Sequence, residues 1–327
     1  MIRPTRLLCQ QRSKSEYPET LSRRFSDLKV QSVALQSHVR KSPRISWLFA
    51  HLFVSLYPDM KKQILDLTVR AVERLSEKHV LIRLTDEQPL PEMVPGQFVE
   101  VRVDGSTSTF LRRPISINMV NREKNELWLM VAMVGDGTRK LGQLQPGDKL
   151  NCLLPLGNGF TLQDGRTALN TESADLTKHS SPLLVGGGVG VAPLLYLGAE
   201  MKRMGMEPTF LLGGRTKNDL LELDLFNRYG RVCVTTEDGS MGEKGFVTNH
   251  SVLGESFDMI CTCGPTPMMK AVARYAKQRG IYCEVSLENM MACGLGACLC
   301  CVEKTVDGNL CVCKDGPVFP ISKLTWE

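Results

Sequence analysis

Six of the twelve cysteines in this 327-residue chain, Cys293, Cys298, Cys300, Cys301, Cys311 and Cys313, fall within 21 residues. Cys293, Cys298 and Cys301 keep the spacing C-x4-C-x2-C, and Cys313 follows after eleven intervening residues. Four thiolates are what a [2Fe–2S] cluster needs, and this is one of the spacings that wraps one. Gly294 and Gly296 tolerate the backbone angles that turn amides towards sulfur. Cys300 and Cys311 are surplus. Alternation turns Cys300 away from its neighbour Cys301, whereas Cys311 is an alternative fourth ligand to Cys313. Tetrahedral zinc competes for the same donor set. Structural zinc sites commonly pair two C-x2-C knuckles, and only Cys298 and Cys301 have that spacing here. An even, dense set of cysteines in a short secreted chain would predict disulfides. This chain is long and its other six cysteines are scattered, so the spacing favours a cluster in a reducing compartment.

A second constellation follows the apolar run Leu183-Leu184-Val185. Gly186-Gly187-Gly188-Val189-Gly190-Val191-Ala192-Pro193 is a glycine-rich turn between a strand and a helix. Such a turn lets backbone approach a diphosphate, and the helix N-terminus attracts its charge. Pro193 suits the first helical turn. A tight turn made only for packing is the plain alternative, because the third glycine of G-x-G-x-x-G is missing. Arg112-Arg113-Pro114-Ile115-Ser116 opens a strand, where an arginine can pair with phosphate and a serine can donate to a ring nitrogen. Gly135-Asp136-Gly137-Thr138 reads as a helix start or a capped turn. Cys263-Gly264-Pro265 ends a strand, at the edge where open α/β sheets bind ligands. Cys263 is thus a candidate nicotinamide contact, with a buried core cysteine as the alternative. The five histidines lie in none of these motifs.

These residues need scaffolds. From Gln63 to about Leu162, short strands at Ile64–Val69, His79–Leu84, Gln97–Val103 and Glu126–Val131 are separated by Pro-Gly and Asp-Gly turns. That pattern predicts a small antiparallel barrel. Residues 164–180 are polar and carry turn formers, and read as a linker or loop insertion. From Pro182, strands alternate with helices, which predicts a doubly wound parallel sheet. The expected divisions are an N-terminal extension over 1–59, a barrel over 60–165, an α/β domain over 181–284 and a cluster module over 285–327. Residues 1–59 carry ten Lys or Arg against four Asp or Glu, while the rest carries 30 basic and 31 acidic residues. The body is therefore near neutral, which gives nucleic-acid binding no electrostatic support. The extension is Arg- and Ser-rich like a transit peptide. Its expected nature is a disordered segment or a start-site artefact. No apolar run is long enough to span a bilayer.

Taken together, barrel, R-P-I-S, glycine turn, C-G-P and four-cysteine tail resemble the ferredoxin-reductase superfamily. Cys313-Lys-Asp-Gly-Pro-Val-Phe after C-x4-C-x2-C is similar to the electron-transfer subunits of class B dihydroorotate dehydrogenases. The resemblance covers residues 60–327. It implies that Arg113, Pro114, Ile115 and Ser116 hold FAD, with Met130, Val131, Ala132, Gly137 and Thr138 as further contacts. Ile115 stands where the superfamily commonly has a stacking tyrosine. Gly188, Gly190 and Pro193 match the nicotinamide-nucleotide turn, and Cys263 and Gly264 the nicotinamide edge. Cys293, Cys298, Cys301 and Cys313 match the cluster ligands. The implied activity is a relay in pyrimidine biosynthesis, from the FMN of a catalytic partner through [2Fe–2S] and FAD to NAD. The implied assembly is a cytoplasmic heterotetramer with two copies of each subunit. Related subunits of sulfide dehydrogenase or of NADH-dependent ferredoxin:NADP oxidoreductase are the alternatives nearest in kind. A zinc-bearing module without turnover and a partner-free flavin reductase are the others.

Overall fold

The computed structural model describes residues 62–162 and 181–326. The expectations for residues 1–59 and for the 164–180 linker lie outside the described residues. Six strands, β1 (Gln63–Arg74), β2 (His79–Thr85), β3 (Phe98–Val101), β4 (Arg113–Asn121), β5 (Glu126–Ala132) and β6 (Lys149–Leu156), come first. They close into a barrel in the order β1-β2-β5-β4-β3-β6, with every neighbour antiparallel. Register explains the core. Val80, Ile82 and Leu84 of β2 stand opposite Val131, Leu129 and Leu127 of β5, and all six are at most 1% exposed. Directly opposed apolar pairs fix which face turns inward, since a one-residue slip would turn them out. Irregularities in β1, β3 and β4 bend the sheet enough to close it. The one in β1 also lets that strand run on to Arg74, past its expected end. A short helix, α1 (Asp136–Leu141), joins β5 to β6.

The second half alternates as expected: β7 (Pro182–Gly187), α2 (Ala192–Arg203), β8 (Thr209–Gly214), α3 (Leu223–Tyr229), β9 (Arg231–Thr236), β10 (Glu243–Lys244), β11 (Met259–Cys263), α4 (Thr266–Arg279) and β12 (Tyr282–Ser286). After them come β13 (Val302–Thr305), β14 (Gly308–Cys311), α5 (Val312–Asp315) and β15 (Val318–Pro320). The sheet order is β10-β9-β8-β7-β11-β12-β15. All its pairings are parallel except β12 with β15. β7 is apolar throughout because a central parallel strand is covered on both faces. The C-terminal segment thus supplies the last strand of this sheet, and β12 runs through the 284/285 division. A three-residue strand is too short to leave a periodic signal.

Two cores hold the elements together. One fills the barrel and extends to α2. There the buried Tyr196 hydroxyl donates to the Met93 carbonyl at 2.9 Å, which contributes about 1 kcal/mol. The other begins on the outside of the barrel at Phe98, Leu153 and Leu156. It continues through β7, β11 and α4 to Cys301, Val312 and Cys313. The cysteine segment is therefore packed on both the sheet and the barrel wall. A buried polar clasp also ties barrel to sheet: Asn118 Nδ2 on β4 donates to Glu222 Oε2, the residue capping α3, at 2.8 Å. Burial, with Glu73 nearby and Arg83 opposing, pushes the Glu222 carboxyl up to about 7. No helix among the described residues is long and apolar enough to cross a membrane.

Candidate functional site

β4, β5, the turn after β7 and the segment after β12 surround a cavity of about 190 Å³. Pro114, Ile115 and Ser116 line it from β4, Met130 and Ala132 from β5, and Val189 and Ala192 from the turn. Ser286, Leu287, Glu288, Asn289 and Met291 close the far side. The floor is apolar and the rim carries hydroxyl, carboxyl and amide groups, which suits a flat heteroaromatic ring. Val131 does not line the cavity. It points into the barrel core and is 1% exposed, because alternation turns its side chain inward.

The remaining expected contacts divide into two groups. Arg113 lies beside α1, where a Cβ on Gly137 would stand 3.4 Å from Arg113 Cδ and 2.9 Å from Thr109 Cγ2. Thr138 spends its hydroxyl on its own turn, accepting from the Gly135 amide at 3.0 Å. On the other wall, Gly188 has φ +57° and nothing within 4 Å of where a Cβ would stand. That open cradle fits a diphosphate. A Cβ on Gly190 would stand 2.4 Å from Gly264 Cα, so the turn and the C-G-P strand end touch backbone to backbone. Pro193 is buried in the first turn of α2. Cys263 is fully buried behind the cavity, and its thiol donates to Glu288 Oε1 at 3.8 Å. Burial, with Glu288 beside it, raises the Cys263 thiol well above its ordinary range, so it stays neutral.

The four expected cluster ligands come as two pairs. Cys293 shares a hydrogen bond with Cys298. Cys301 Sγ accepts the Cys313 amide at 3.3 Å, and the two thiols also interact. Backbone amides point at the sulfurs: Leu295 N donates to Cys293 Sγ at 3.4 Å and Gly296 N to Cys313 Sγ at 3.1 Å. Gly294, Gly296 and Leu299, at φ +66°, +79° and +58°, make this turning possible. Burial would raise the Cys293 thiol, but the amides of Leu295, Cys298 and Ala297 and the Cys298 thiol hold it at about 6, inclined to be a thiolate. Burial and Cys301 push Cys313 up to about 12. The donor set fits a two-iron cluster, which takes two thiolates per iron and offsets their crowded charge. The Cys311 thiol turns to the Gly296 carbonyl at 3.8 Å, and Cys300 is exposed.

Sequence reasoning passed over the Ser286–Met291 rim, although a segment leaving a strand at the ligand edge was a usable signal. It also passed over Glu100 on β3. This side chain is 0% exposed, stands opposite Pro114, and has no hydrogen-bond partner on either oxygen. Burial, with Cys293 adding to it, pushes its carboxyl up to about 7 against the pull of Arg113 and Arg112. A Cβ on Gly294 would stand 2.8 Å from Glu100 Cγ and 3.0 Å from Leu156 Cδ1, so the thiol loop sits directly on the barrel.

The family model described as the iron–sulfur cluster binding domain of dihydroorotate dehydrogenase B matches residues 288–325. That of the oxidoreductase NAD-binding domain matches residues 184–274. The dihydroorotate dehydrogenase B (NAD(+)) electron transfer subunit of Shouchella clausii (strain KSM-K16) is 40% identical over 236 residues, 70% of this chain and 86% of the relative. Its counterpart in Fusobacterium nucleatum subsp. nucleatum is 38% identical over 240 residues, 71% of this chain and 87% of the relative. Among solved structures, the NADH-dependent reduced ferredoxin–NADP oxidoreductase superposes with a TM-score of 0.69 at 29% identity, over 80% of this chain and 90% of that chain. With 40% identity over seven-tenths of its length, and the cluster-domain match falling on the paired thiols, this chain belongs to the family of dihydroorotate dehydrogenase B electron transfer subunits.

Proposed function

We propose that the chain is an electron relay between a dihydroorotate dehydrogenase catalytic subunit bearing FMN and NAD+, serving de novo pyrimidine (UMP) biosynthesis in the cytoplasm. When bound, a [2Fe–2S] cluster supplies single-electron transfer, FAD converts single electrons to pairs, and NAD accepts hydride. Cys293, Cys298, Cys301 and Cys313 would hold the cluster. Arg113, Pro114, Ile115, Ser116, Met130, Ala132, the backbone of Val131, Gly137 and Thr138 hold FAD. Gly188, Gly190 and Pro193 admit the nucleotide diphosphate, and Gly264 and the neutral Cys263 back the nicotinamide. The working modules are 60–165, 181–284 and 285–327. The partner is an FMN subunit, two of each forming a heterotetramer.

One observation carries this reading: the thiol loop rests on the same barrel wall whose next strand lines the cavity. Two redox centres held by one rigid wall keep a fixed spacing, which a relay requires. Met290, Leu295 and Leu299, at 84%, 45% and 65% exposed, leave apolar surface around the thiol loop, which suits a protein partner there. The test is reconstitution. With the FMN subunit, dihydroorotate should reduce NAD+; the chain alone should catalyse only NADH-dependent dye reduction. Dihydroorotate oxidation by the chain alone would overturn the proposal. The likeness to the ferredoxin–NADP oxidoreductase supports a second reading, as a subunit of such an enzyme. Copurification with a larger flavoprotein, and not with an FMN subunit, would favour it.

A further inference from the structure

Among the described residues, Glu100 is the one fully buried acid with neither carboxyl oxygen hydrogen-bonded. Leaving a buried carboxyl without a partner is costly, and such groups persist where they have a task. Its place in the fold is specific. Val99 and Val101, its neighbours on β3, point into the barrel core, so Glu100 shares the outer face with Phe98. On one side it stands opposite Pro114, a lining residue of the cavity. On the other its Cγ lies against Gly294, inside the thiol loop. Arg112 Nη1 donates to the Glu100 main-chain carbonyl at 3.1 Å, which fixes the strand at this point without capping the side chain. Arg113 runs beside α1 and Gly137, and its charge, with that of Arg112, acts on the Glu100 carboxyl.

We propose that Glu100 sets the fall in potential from the cluster to the flavin, its walled-in carboxylate disfavouring an added electron on the cluster it adjoins. The inference rests on the relay reading. A negative charge excluded from water acts on a neighbouring redox centre far more strongly than an exposed one. Placed against the cluster loop, it lowers the cluster's affinity for an electron. On the flavin side, Arg113 offsets it. An electron reaching the cluster from a partner is thereby driven onward to FAD and not held.

The test is a reductive titration of the full-length chain carrying FAD and cluster. Wild type, Glu100→Gln and Glu100→Asp are compared, with the reduced cluster read by electron paramagnetic resonance and FAD by absorbance. At a fixed ambient potential, Glu100→Gln should raise the ratio of reduced to oxidised cluster about tenfold, equivalent to about 59 mV for a one-electron centre. Glu100→Asp should stay with wild type, and the FAD midpoint should move less than the cluster's. An unchanged ratio in Glu100→Gln, or an equal shift in both variants, overturns the inference while leaving the relay intact. If Glu100→Gln does not retain iron, Glu100→Met, of similar volume and no charge, is read by the same criterion. Absence of iron and flavin from the wild type would instead sink the relay reading itself.

Discussion

The thiol loop and the cavity between barrel and sheet are built on opposite plans. The loop takes its four proposed ligands from one 21-residue stretch, with its shape set by local turns at Gly294, Gly296 and Leu299. The cavity takes its lining from β4, β5, the turn after β7 and the segment after β12, which are remote in sequence and meet only because barrel and sheet pack together. A cluster needs thiolates at bond distance, so its ligands travel together. A flavin and a nicotinamide need broad surfaces at a shared edge, so their contacts are spread over elements. Damage to the loop should therefore be local, and damage to the cavity should depend on how the two halves meet.

The largest effect is expected in the loop. Cys298→Ser removes one of a thiol pair and should abolish iron binding while leaving FAD stoichiometric. Iron and flavin assays of the purified variant check this, and simultaneous loss of FAD would show that the two sites are not separable. Next is Arg113→Ala on the flavin side. It removes a guanidinium beside α1 and should lower retained FAD severalfold while iron stays near wild type. Chromophore content after gel filtration reads both. Gly190→Ala comes third. Its new Cβ would meet Gly264 backbone at 2.4 Å, so the turn and strand end must move apart. The expected result is about a tenfold or greater rise in KM for NADH, with FAD and iron retained.

These three sites were accessible to sequence reading to different degrees. The loop was readable because C-x4-C-x2-C is a local pattern. R-P-I-S and the glycine turn were readable as motifs, and the barrel and parallel sheet as periodicities. The Ser286–Met291 rim, the pairing of β15 with β12, the Asn118–Glu222 clasp and the orphaned Glu100 were not. Each is created by register or by contact between distant segments, for which one sequence carries no local mark. Val131 shows the same limit in reverse. The motif includes it, yet alternation turns its side chain into the core.

Two smaller effects sharpen the contrast between local and assembled sites. The fold raises the Glu222 carboxyl from an ordinary 4.5 to about 7, so folding favours its neutral form. The stability this contributes is complete below pH 4.5 and is lost as pH rises through 7. In thermal unfolding between pH 4 and 8, wild type should lose ground against Glu222→Gln across that window. Parallel curves would mean that the clasp does not sense pH. The smallest effect is expected from deleting residues 1–59. All the proposed site residues lie in the unit Lys61–Glu327, so NADH-dependent dye reduction should be unchanged, and an inactive truncation would tie the segment to the site.

The central claim is that paired thiols and the adjoining cavity hold two redox groups in one body. Its most direct test is the metal, sulfide and flavin content of the anaerobically purified full-length chain. The account predicts about two iron atoms, two sulfides and one FAD per chain, without FMN. A colourless protein containing zinc and no flavin would contradict it.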